Sequence, residues 1–385
     1  RTHRVFVGSL IDDRADWAHV PALEAHCAEL ACFALHPRLQ RLRALLKVSP
    51  GRPLTLDYFH SPGLARWVKE TVAREAIDRI FVSCSAMAPY AMELRAGRLI
   101  LDFMDVDSAK WTEYAKASRG PTRLIWAREG RTLHAFERRA AARFDHALFV
   151  SEQEWRHFRA LAPESAERTS FISNGVDFAY FSPSHGFENP FPSNAPVIVF
   201  TGAMDYRPNI QAVEWFTHEV LPLVRRAGHA NAAFWIVGAN PAQDVRRLAA
   251  QPDVHVTGRV SDTRPYLAHA HVAVAPLRIA RGIQNKVLEA MAMGRPVVAT
   301  PQAFEGLRVV PGRDLLIAEE ASATARCVAE VLDGLHCTLG SQARQAIEQQ
   351  YDWSTMLAAL DMLWDQEQPR SGSGMEQTSK AEICS

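Results

Sequence analysis

The chain has 385 residues, enough for two or three domains, and apolar residues make up 48% of it, enough for a sizeable core. Lysine and arginine together number 43, as do aspartate and glutamate, so the net charge gives no argument for a nucleic-acid or polyanion partner. The six cysteines form no CxxC pair, and no apolar run approaches the roughly 18 residues of a membrane span, so we expect a cytoplasmic protein without zinc, disulfides or a spanning helix.

Short apolar runs alternate with helical stretches along the chain. In chain order they are RVFVGSL, DRIFVSCS, RLILDFMDV and HALFVS, then PVIVFTGAM, AAFWIVGAN, VHVTGRV, HVAVAPL and RPVVAT. Runs of this kind, bounded by turn residues and separated by helices, are typical of parallel sheets built from βαβ units. The sequence therefore predicts an α/β protein of two doubly wound, Rossmann-like domains that face a cleft, with ligands beyond the carboxyl ends of the strands.

The segment SNGVDFAYFSPSHGFENPFPSNAP lies between the two groups of runs and is rich in Pro, Asn, Ser and Gly, which predicts a linker. We expect an amino-terminal, acceptor-side domain over residues 1–180 and a carboxyl-terminal, donor-binding domain over 181–350. A closing helix is predicted at 351–366, and the polar, Gly/Ser-rich residues 367–385 predict a disordered tail.

The segment HPRLQRLRALLKVSPGRPL places four basic side chains among leucines: Arg38, Arg41, Arg43 and Lys47. This pattern is typical of a basic amphipathic helix that rests on an anionic bilayer, which predicts peripheral contact with the inner membrane. A solvated helix packed on the core explains the same pattern and stays open as the alternative.

The run RLILDFMDV ends in carboxylates. Asp102, Asp105 and Asp107 follow a predicted strand, and carboxylates at that edge of a sheet suit the hydroxyls of a sugar. We assign Asp105 to the cleft as a catalytic-site residue. Capping of the next helix by Asp107 or Ser108 is the alternative for these polar residues.

Two glycines end strands of the carboxyl half. Gly202 follows PVIVFT, with Asn209 placed to cap the next helix, and Gly258 follows VHVT. A missing side chain lets a phosphate or a base approach the backbone, although each glycine alone is explained as well by a turn.

The stretch GIQNKVLEAMAMGRPVVAT predicts a helix that ends at Gly294 and leads into a strand. Lys286 falls in its first turn, where free N–H groups favour an anion, and Glu289 follows on the same face. Arg278 and Arg281 lie in the preceding loop. The residues predict capture of a nucleoside diphosphate, with the cations on phosphate and the carboxylate on ribose. An ion pair between Lys286 and Glu289 on a solvated face is the alternative.

These motifs, with NGVDFAYFSP, VHVTGRVSDTRPYLAHAHVAVAPLR and a closing YDW, resemble the GT-B-fold glycosyltransferases of family 4, and the sugar transferases of bacterial exopolysaccharide and PEP-CTERM systems in particular. The resemblance implies a nucleotide-diphosphate sugar as donor, no cofactor and no obligatory metal. It also implies ribose binding by Glu289, diphosphate binding by Lys286 and backbone contact with the base. The predicted donor-binding residues are Glu289, Gly202, Gly258, Arg259, Val260, Arg278, Gly282 and Asn285.

Three features depart from the family pattern. Arg281 stands where relatives have the first of two glutamates, so recognition of the sugar must differ. The loop after Gly202 has Ala203 and Pro208 where basic residues are usual, and we expect Arg207, Arg278 or Arg281 to compensate. Relatives also open with a further strand and a glycine-bearing loop before RVFVGSL, and we expect the amino domain to lack that unit.

The resemblance implies transfer of the sugar with retention of configuration to a glycan or polyprenyl-linked acceptor. Lys286 and Arg281 are the predicted catalytic cations, because they would stabilise the leaving diphosphate. A nucleotide-sugar epimerase on the same fold, or an inactive nucleotide-sugar-binding homologue, are the alternatives.

Overall fold

The computed structural model describes residues 3–46, 49, 51–95, 97–192, 195–280 and 282–365. Arg281, Lys47 and the predicted tail at 367–385 lie outside these residues, as does the side chain of Arg43. The predictions made for them are therefore neither supported nor contradicted by the geometry.

The strands of the amino domain form two parallel sheets. One sheet pairs β1 with β2, and the other has the order β3-β4-β5-β6. The bounds are β1 Phe6–Ile11, β2 Glu29–Ala34, β3 Arg79–Ser83, β4 Arg98–Met104, β5 His146–Phe149 and β6 Thr169–Phe171. The apolar runs predicted four of these strands. They did not predict β2, which contains only half-buried or exposed residues, or β6, which has three residues.

Seven α-helices surround these strands. Their bounds are α1 Val20–Glu24, α2 Pro37–Leu46, α3 Leu54–Tyr58, α4 Pro62–Glu75, α5 Asp107–Ala117, α6 Pro121–Arg143 and α7 Glu152–Leu161. Short 3-10 segments lie at Arg14–His19, Ser85–Tyr90 and Pro163–Arg168. Helix α4 packs directly on the small sheet, since a side chain at Gly8 of β1 would come within 2.7 Å of the Trp67 ring.

The carboxyl domain has one six-stranded parallel sheet of order β12-β11-β10-β7-β8-β9. Its strands are β7 Val197–Thr201, β8 Ala233–Val237, β9 Val254–Gly258, β10 Val272–Ala275, β11 Val297–Ala299 and β12 Leu316–Ile317. This is the usual doubly wound order, in which the chain reverses direction across the sheet between β7 and β10. The strands β7, β10 and β11 are wholly buried because helices cover both faces, whereas the edge strand β9 is mostly half-buried.

Helices follow each strand of this domain. Their bounds are α8 Arg207–Trp215, α9 Leu221–Arg226, α10 Gln243–Leu248, α11 Arg264–His269, α12 Asn285–Ala292, α13 Pro301–Phe304, α14 Ala321–Leu332 and α15 Leu339–Glu348, and a π-helical segment at Phe216–Val220 joins α8 to α9. Helix α12 ends as predicted, because Gly294 adopts a φ of 65° and Arg295 N–H returns to the carbonyl of Ala290.

The amino domain differs from this order in that its described strands form two separate sheets. In the carboxyl sheet, the central position is held by the domain's first strand, β7. Among the described residues of the amino domain, no strand joins β1 to β3 in that central position.

The last helix, α16 Trp353–Asp365, returns to the amino domain. Its Leu363 packs against Ile100 of β4 and Leu148 of β5, and Asp365 forms an ion pair with Arg79 at 3.3 Å. The helix thus connects the carboxyl domain with the amino domain. Within the described part of the chain, no helix is both long enough and apolar enough to cross a bilayer.

Candidate active site

Lys286 lies in the first turn of α12, at the point where the carboxyl sheet reverses direction. Its ammonium is half-buried, with Nζ 4.8 Å from the centre of the Phe200 ring. Burial lowers the pKa of Lys286 to about 8, against an opposing effect of Glu289. A cation in such a place is costly to the fold, which indicates that it serves a ligand.

Asn209 holds this lysine in place. Its Oδ1 accepts a hydrogen bond from Lys286 Nζ at 2.6 Å, and its Nδ2 donates to the carbonyl of Ala203 at 2.8 Å. The prediction that Asn209 caps α8 is wrong, because the cap position is Tyr206 and Asn209 is the third residue of the helix. The amide instead directs the ammonium toward the loop after β7.

Glu289 lies one turn further along α12. Burial raises the pKa of its carboxyl group, and Lys286 opposes that effect. Among the described residues no ion pair joins Glu289 to Lys286, and no hydrogen bond to the Glu289 side chain is present. The alternative of a solvated i,i+3 ion pair is therefore wrong. A half-buried carboxylate without a protein donor is suited to accept hydrogen bonds from a ligand.

Gly202 brings the end of β7 close to the side chains of Asn209 and Lys286. A Cβ atom at Gly202 would lie 2.8 Å from Asn209 Nδ2 and 3.4 Å from Lys286 Cε, so any side chain would enter the space around the ammonium. Gly238, which ends β8, is equally constrained, since its Cβ would lie 1.7 Å from the carbonyl oxygen of Gly202. Sequence reasoning missed Gly238, although it follows a strand as Gly202 does.

Gly258 ends the edge strand β9 in a left-handed conformation, with a φ of 71° and open space where a side chain would stand. Arg259 is exposed, and Val260 packs partly against the core. The three residues lie two strands away from β7, with β8 between them. Their predicted contact with a base stays a prediction.

The loop before α12 faces the amino domain. A side chain on Gly282, which has a φ of 64°, would lie 3.8 Å from Ser151 Oγ at the start of α7. Asn285 Oδ1 accepts a hydrogen bond from Asn174 Nδ2 of the linker at 3.1 Å. The guanidinium of the exposed Arg278 lies over the ring of Trp215, 5.5 Å from its centre. The geometry places the loop in the cleft, and the phosphate role predicted for Arg278 stays a prediction.

The predicted acceptor side of the cleft is the end of β4. Asp102 Oδ1 accepts from Met104 N–H at 2.9 Å, and burial raises the pKa of this carboxyl group. Met104 has a φ of 64°, which is uncommon for a side chain of its size, and it interrupts the pairing with β5. Asp105 follows it and is exposed. Asp107 accepts from Ser85 Oγ at 2.8 Å.

Two buried glutamates that the sequence did not reveal support this loop. Glu154 accepts from Val106 N–H at 2.8 Å, and Glu137 accepts from both the N–H and the Oγ of Ser108. Burial raises the pKa of Glu137 to about 8. They perform the capping that was considered for Asp107 and Ser108, neither of which caps α5.

Among the described residues no cluster of three or more His, Cys, Asp or Glu side chains is arranged to hold a metal ion. Among the described residues, the charged groups at the cleft include the ammonium and carboxylate of α12 on one side and the carboxylates after β4 on the other. A diphosphate fits the first group and neutral hydroxyls fit the second.

Comparisons with known proteins agree with this geometry. Residues 195–334 match the family model described as glycosyl transferases group 1. A comparison with curated proteins found no match. Similar solved structures include sucrose-phosphate synthase from Thermosynechococcus elongatus, with a TM-score of 0.65 and 16% identity over 94% of this chain and 98% of that one.

Two further structures are similar over the same share of the chain. A glycosyltransferase from Rickettsia africae ESF-5 has a TM-score of 0.61 and 13% identity over 94% of this chain and 98% of that one. Anabaena HepE in complex with UDP-glucose has a TM-score of 0.62 and 16% identity over 94% of this chain and 99% of that one. At such identities the likeness shows the fold, and the predicted GT-B arrangement of two Rossmann-like domains is confirmed.

Proposed function

We propose that this chain, which has the GT-B fold and a carboxyl domain matching the group 1 glycosyl transferases, is a glycosyltransferase. It moves a sugar from a nucleotide-diphosphate donor to a glycan or polyprenyl-linked acceptor, with retention of configuration and without a resident metal or cofactor. The site at the mouth of α12 supports this proposal, and so does the UDP-glucose bound by the similar Anabaena protein.

The observation that carries the proposal is the half-buried Lys286, which Asn209 directs toward the loop after β7. In a doubly wound sheet this is the place where ligands bind. The first N–H groups of α12 have no side-chain cap, so they are free to add their dipoles to the ammonium. Together they form a site for the two phosphates of the donor.

The chemistry required of this site is electrostatic. As the bond between the sugar and the diphosphate breaks, negative charge develops on the leaving phosphate oxygen. Lys286 and the helix N–H groups stabilise that charge, and one such contact lowers the activation barrier by about 3 kcal/mol. For retention the acceptor hydroxyl approaches from the side that the phosphate leaves, and the phosphate takes its proton. Arg281 is the second proposed cation.

The donor's other end is bound by α12 and β9. Glu289 accepts hydrogen bonds from the ribose hydroxyls, and the backbone from Gly258 to Val260 contacts the base. Gly202 leaves space for the phosphates beside Lys286. Gly282 and Asn285 shape the loop between donor and acceptor.

The acceptor binds at the end of β4, where Asp105 is exposed. A polyprenyl-linked acceptor requires that the enzyme work at a membrane surface, so the proposal includes peripheral contact with an anionic bilayer on the cytoplasmic side. The role in exopolysaccharide synthesis is supported by the sequence motifs alone.

A panel of nucleotide-diphosphate sugars, assayed with and without glycan and lipid-linked acceptors, tests the proposal. We expect one donor to be consumed only when acceptor is present, with the anomeric configuration of the product retained by NMR. Lys286→Ala should lower turnover about a hundredfold, whereas Lys69→Ala, at an exposed lysine of α4, should not.

Other outcomes would overturn the proposal. Interconversion of the donor sugar without acceptor would identify an epimerase. Nucleotide binding without turnover on any donor of the panel would identify an inactive homologue.

A further inference from the structure

Helices α5 and α6 form a hairpin whose direction follows from the sheet. Strands β4 and β5 are parallel neighbours, so the chain that leaves the carboxyl end of β4 must return to the amino end of β5. Helix α6 ends there and therefore runs down the sheet, while α5 begins at the carboxyl end of β4. Helix α5 packs antiparallel to the first half of α6. Both helices therefore extend beyond the carboxyl edge of the sheet at this end of the hairpin.

Contacts fix this arrangement. Ser108, at the base of α5, is bonded to Glu137 in the second half of α6. Further up, a side chain on Gly130 would lie 2.6 Å from Thr112 Oγ1, so the two helices touch closely. Eleven residues of α5 correspond to about 16 Å of helix. The hairpin thus projects on the side of the cleft.

The tip of the hairpin exposes aliphatic side chains. Residues 119–125 are all exposed, and Leu124 and Ile125 are 73% and 41% exposed. Below them lies an aromatic group, in which Trp111 stacks on Trp126 with ring centres 4.9 Å apart and Tyr114, 43% exposed, contacts the edge of Trp111. Aliphatic residues beyond a belt of Trp and Tyr are the arrangement found at bilayer interfaces.

The charge on the hairpin is mostly positive. Between residues 109 and 127 only Glu113 is acidic, and the basic residues are Lys110, Lys116, Arg119 and Arg123, all exposed. Leu124 thus lies beside Arg123 and near Arg119. A second copy of the chain would bring this basic surface against itself, whereas an anionic lipid surface complements it.

We propose that the α5–α6 hairpin docks the protein on an anionic phospholipid bilayer, with Leu124 and Ile125 inserted among the lipids. The segment that follows helix α2, the helix for which membrane contact was predicted, contacts the hairpin, since Arg128 of α6 donates to the carbonyls of Ser49 and Arg52. The inference extends the membrane contact included in the proposed function. It places Asp105, two residues before α5, roughly one helix length from the lipid surface.

Vesicle flotation tests this inference without donor or acceptor, so its result is independent of transferase activity. The probes are vesicles of phosphatidylcholine alone and of phosphatidylcholine with about one-third phosphatidylglycerol, the anionic fraction being chosen to favour basic segments. We expect the full chain to float with the anionic vesicles only. The double variant L124D/I125D should bind at least about tenfold more weakly, because two inserted aliphatic side chains are lost.

Controls keep the outcome decisive. Leu335→Asp changes a leucine that is 71% exposed in the carboxyl domain and should leave flotation unchanged. Unchanged thermal unfolding of L124D/I125D shows that the fold persists. The inference is overturned if L124D/I125D floats like the unaltered chain, if only a variant of α2 such as R38E/R41E loses binding, or if L124D/I125D changes the oligomeric state without affecting flotation.

Discussion

Raising the pH from 7 to 9 is expected to weaken the binding of a nucleoside diphosphate about tenfold, because Lys286 loses its proton in this range. The diphosphate binds the charged ammonium, so binding takes up a proton when the free lysine is neutral. With a pKa of about 8 in the unliganded protein, Lys286 changes from mostly charged to mostly neutral between these pH values.

The magnitude follows from the two populations. At one pH unit below a pKa of about 8 roughly nine-tenths of Lys286 is charged, and at one unit above roughly one-tenth is. The ratio corresponds to about 1.4 kcal/mol of binding free energy. A lysine at its ordinary pKa of 10.5 would stay charged throughout, and the affinity would hardly change. The size of the effect thus measures the burial of the ammonium.

Isothermal titration with UDP or ADP, from pH 7 to pH 9, provides the measurement. Lys286→Met removes the charge, so its affinity should be about 10- to 100-fold lower at pH 7 and should show no step near pH 8. The ratio between the two proteins cancels any ionisation of the nucleotide itself. A constant ratio across the range would refute the reasoning, because Lys286 would then either not contact the diphosphate or not be buried.

Three other changes test the site and its supports. Glu289→Gln should weaken nucleoside diphosphates roughly tenfold by calorimetry while leaving inorganic pyrophosphate unchanged, and equal losses for both ligands would contradict ribose binding. Gly238→Ala should cost more than about 3 kcal/mol of unfolding free energy in urea titrations, since its Cβ meets the carbonyl of Gly202, while Gly186→Ala, in open space, should be neutral. Burial raises the pKa of Glu137 to about 8 in the folded protein, above its ordinary 4.5. Between these two pH values the folded protein therefore holds a proton on Glu137 that the unfolded chain has lost. The free energy of unfolding must then fall as the pH rises from about 5 to 8. Glu137→Gln should flatten this fall in thermal unfolding, and an unchanged pH profile would show that the carboxyl group is not protonated.

The helix that carries Lys286 and Glu289 could be predicted from the sequence because its determinants are local. Lys286 and Glu289 lie one helical turn apart, and the helix ends at Gly294 as its sequence indicates. Strong helix formers and a terminal glycine act over a few residues, so tertiary contacts did not alter the result. Gly238 was missed and Asn209 was misjudged, and the partner of Asn209, Lys286, is 77 residues away from it in the chain.

The supports of the acceptor half could not be found in the same way. Glu137 is 29 residues from the Ser108 group it caps, and Glu154 is 48 residues from Val106. Their partners include backbone N–H groups, which every residue except proline possesses, so no pairing of residue types marks the contact. In the sequence both glutamates lie in strongly polar helices, and nothing distinguishes them from solvated residues.

The two halves of the cleft therefore differ in how their polar groups are paired, and this difference bears on function. On the donor side, no described residue donates a hydrogen bond to the Glu289 carboxylate, and the described hydrogen-bond partner of Lys286 is a neutral amide, which leaves both charges available to a charged ligand. On the acceptor side Asp102, Asp107, Glu137 and Glu154 all accept hydrogen bonds from the protein itself. A neutral acceptor needs only a few hydrogen bonds to be oriented, whereas a diphosphate needs cations. This uneven pairing is what a transferase requires when it binds a charged donor firmly and a neutral acceptor weakly.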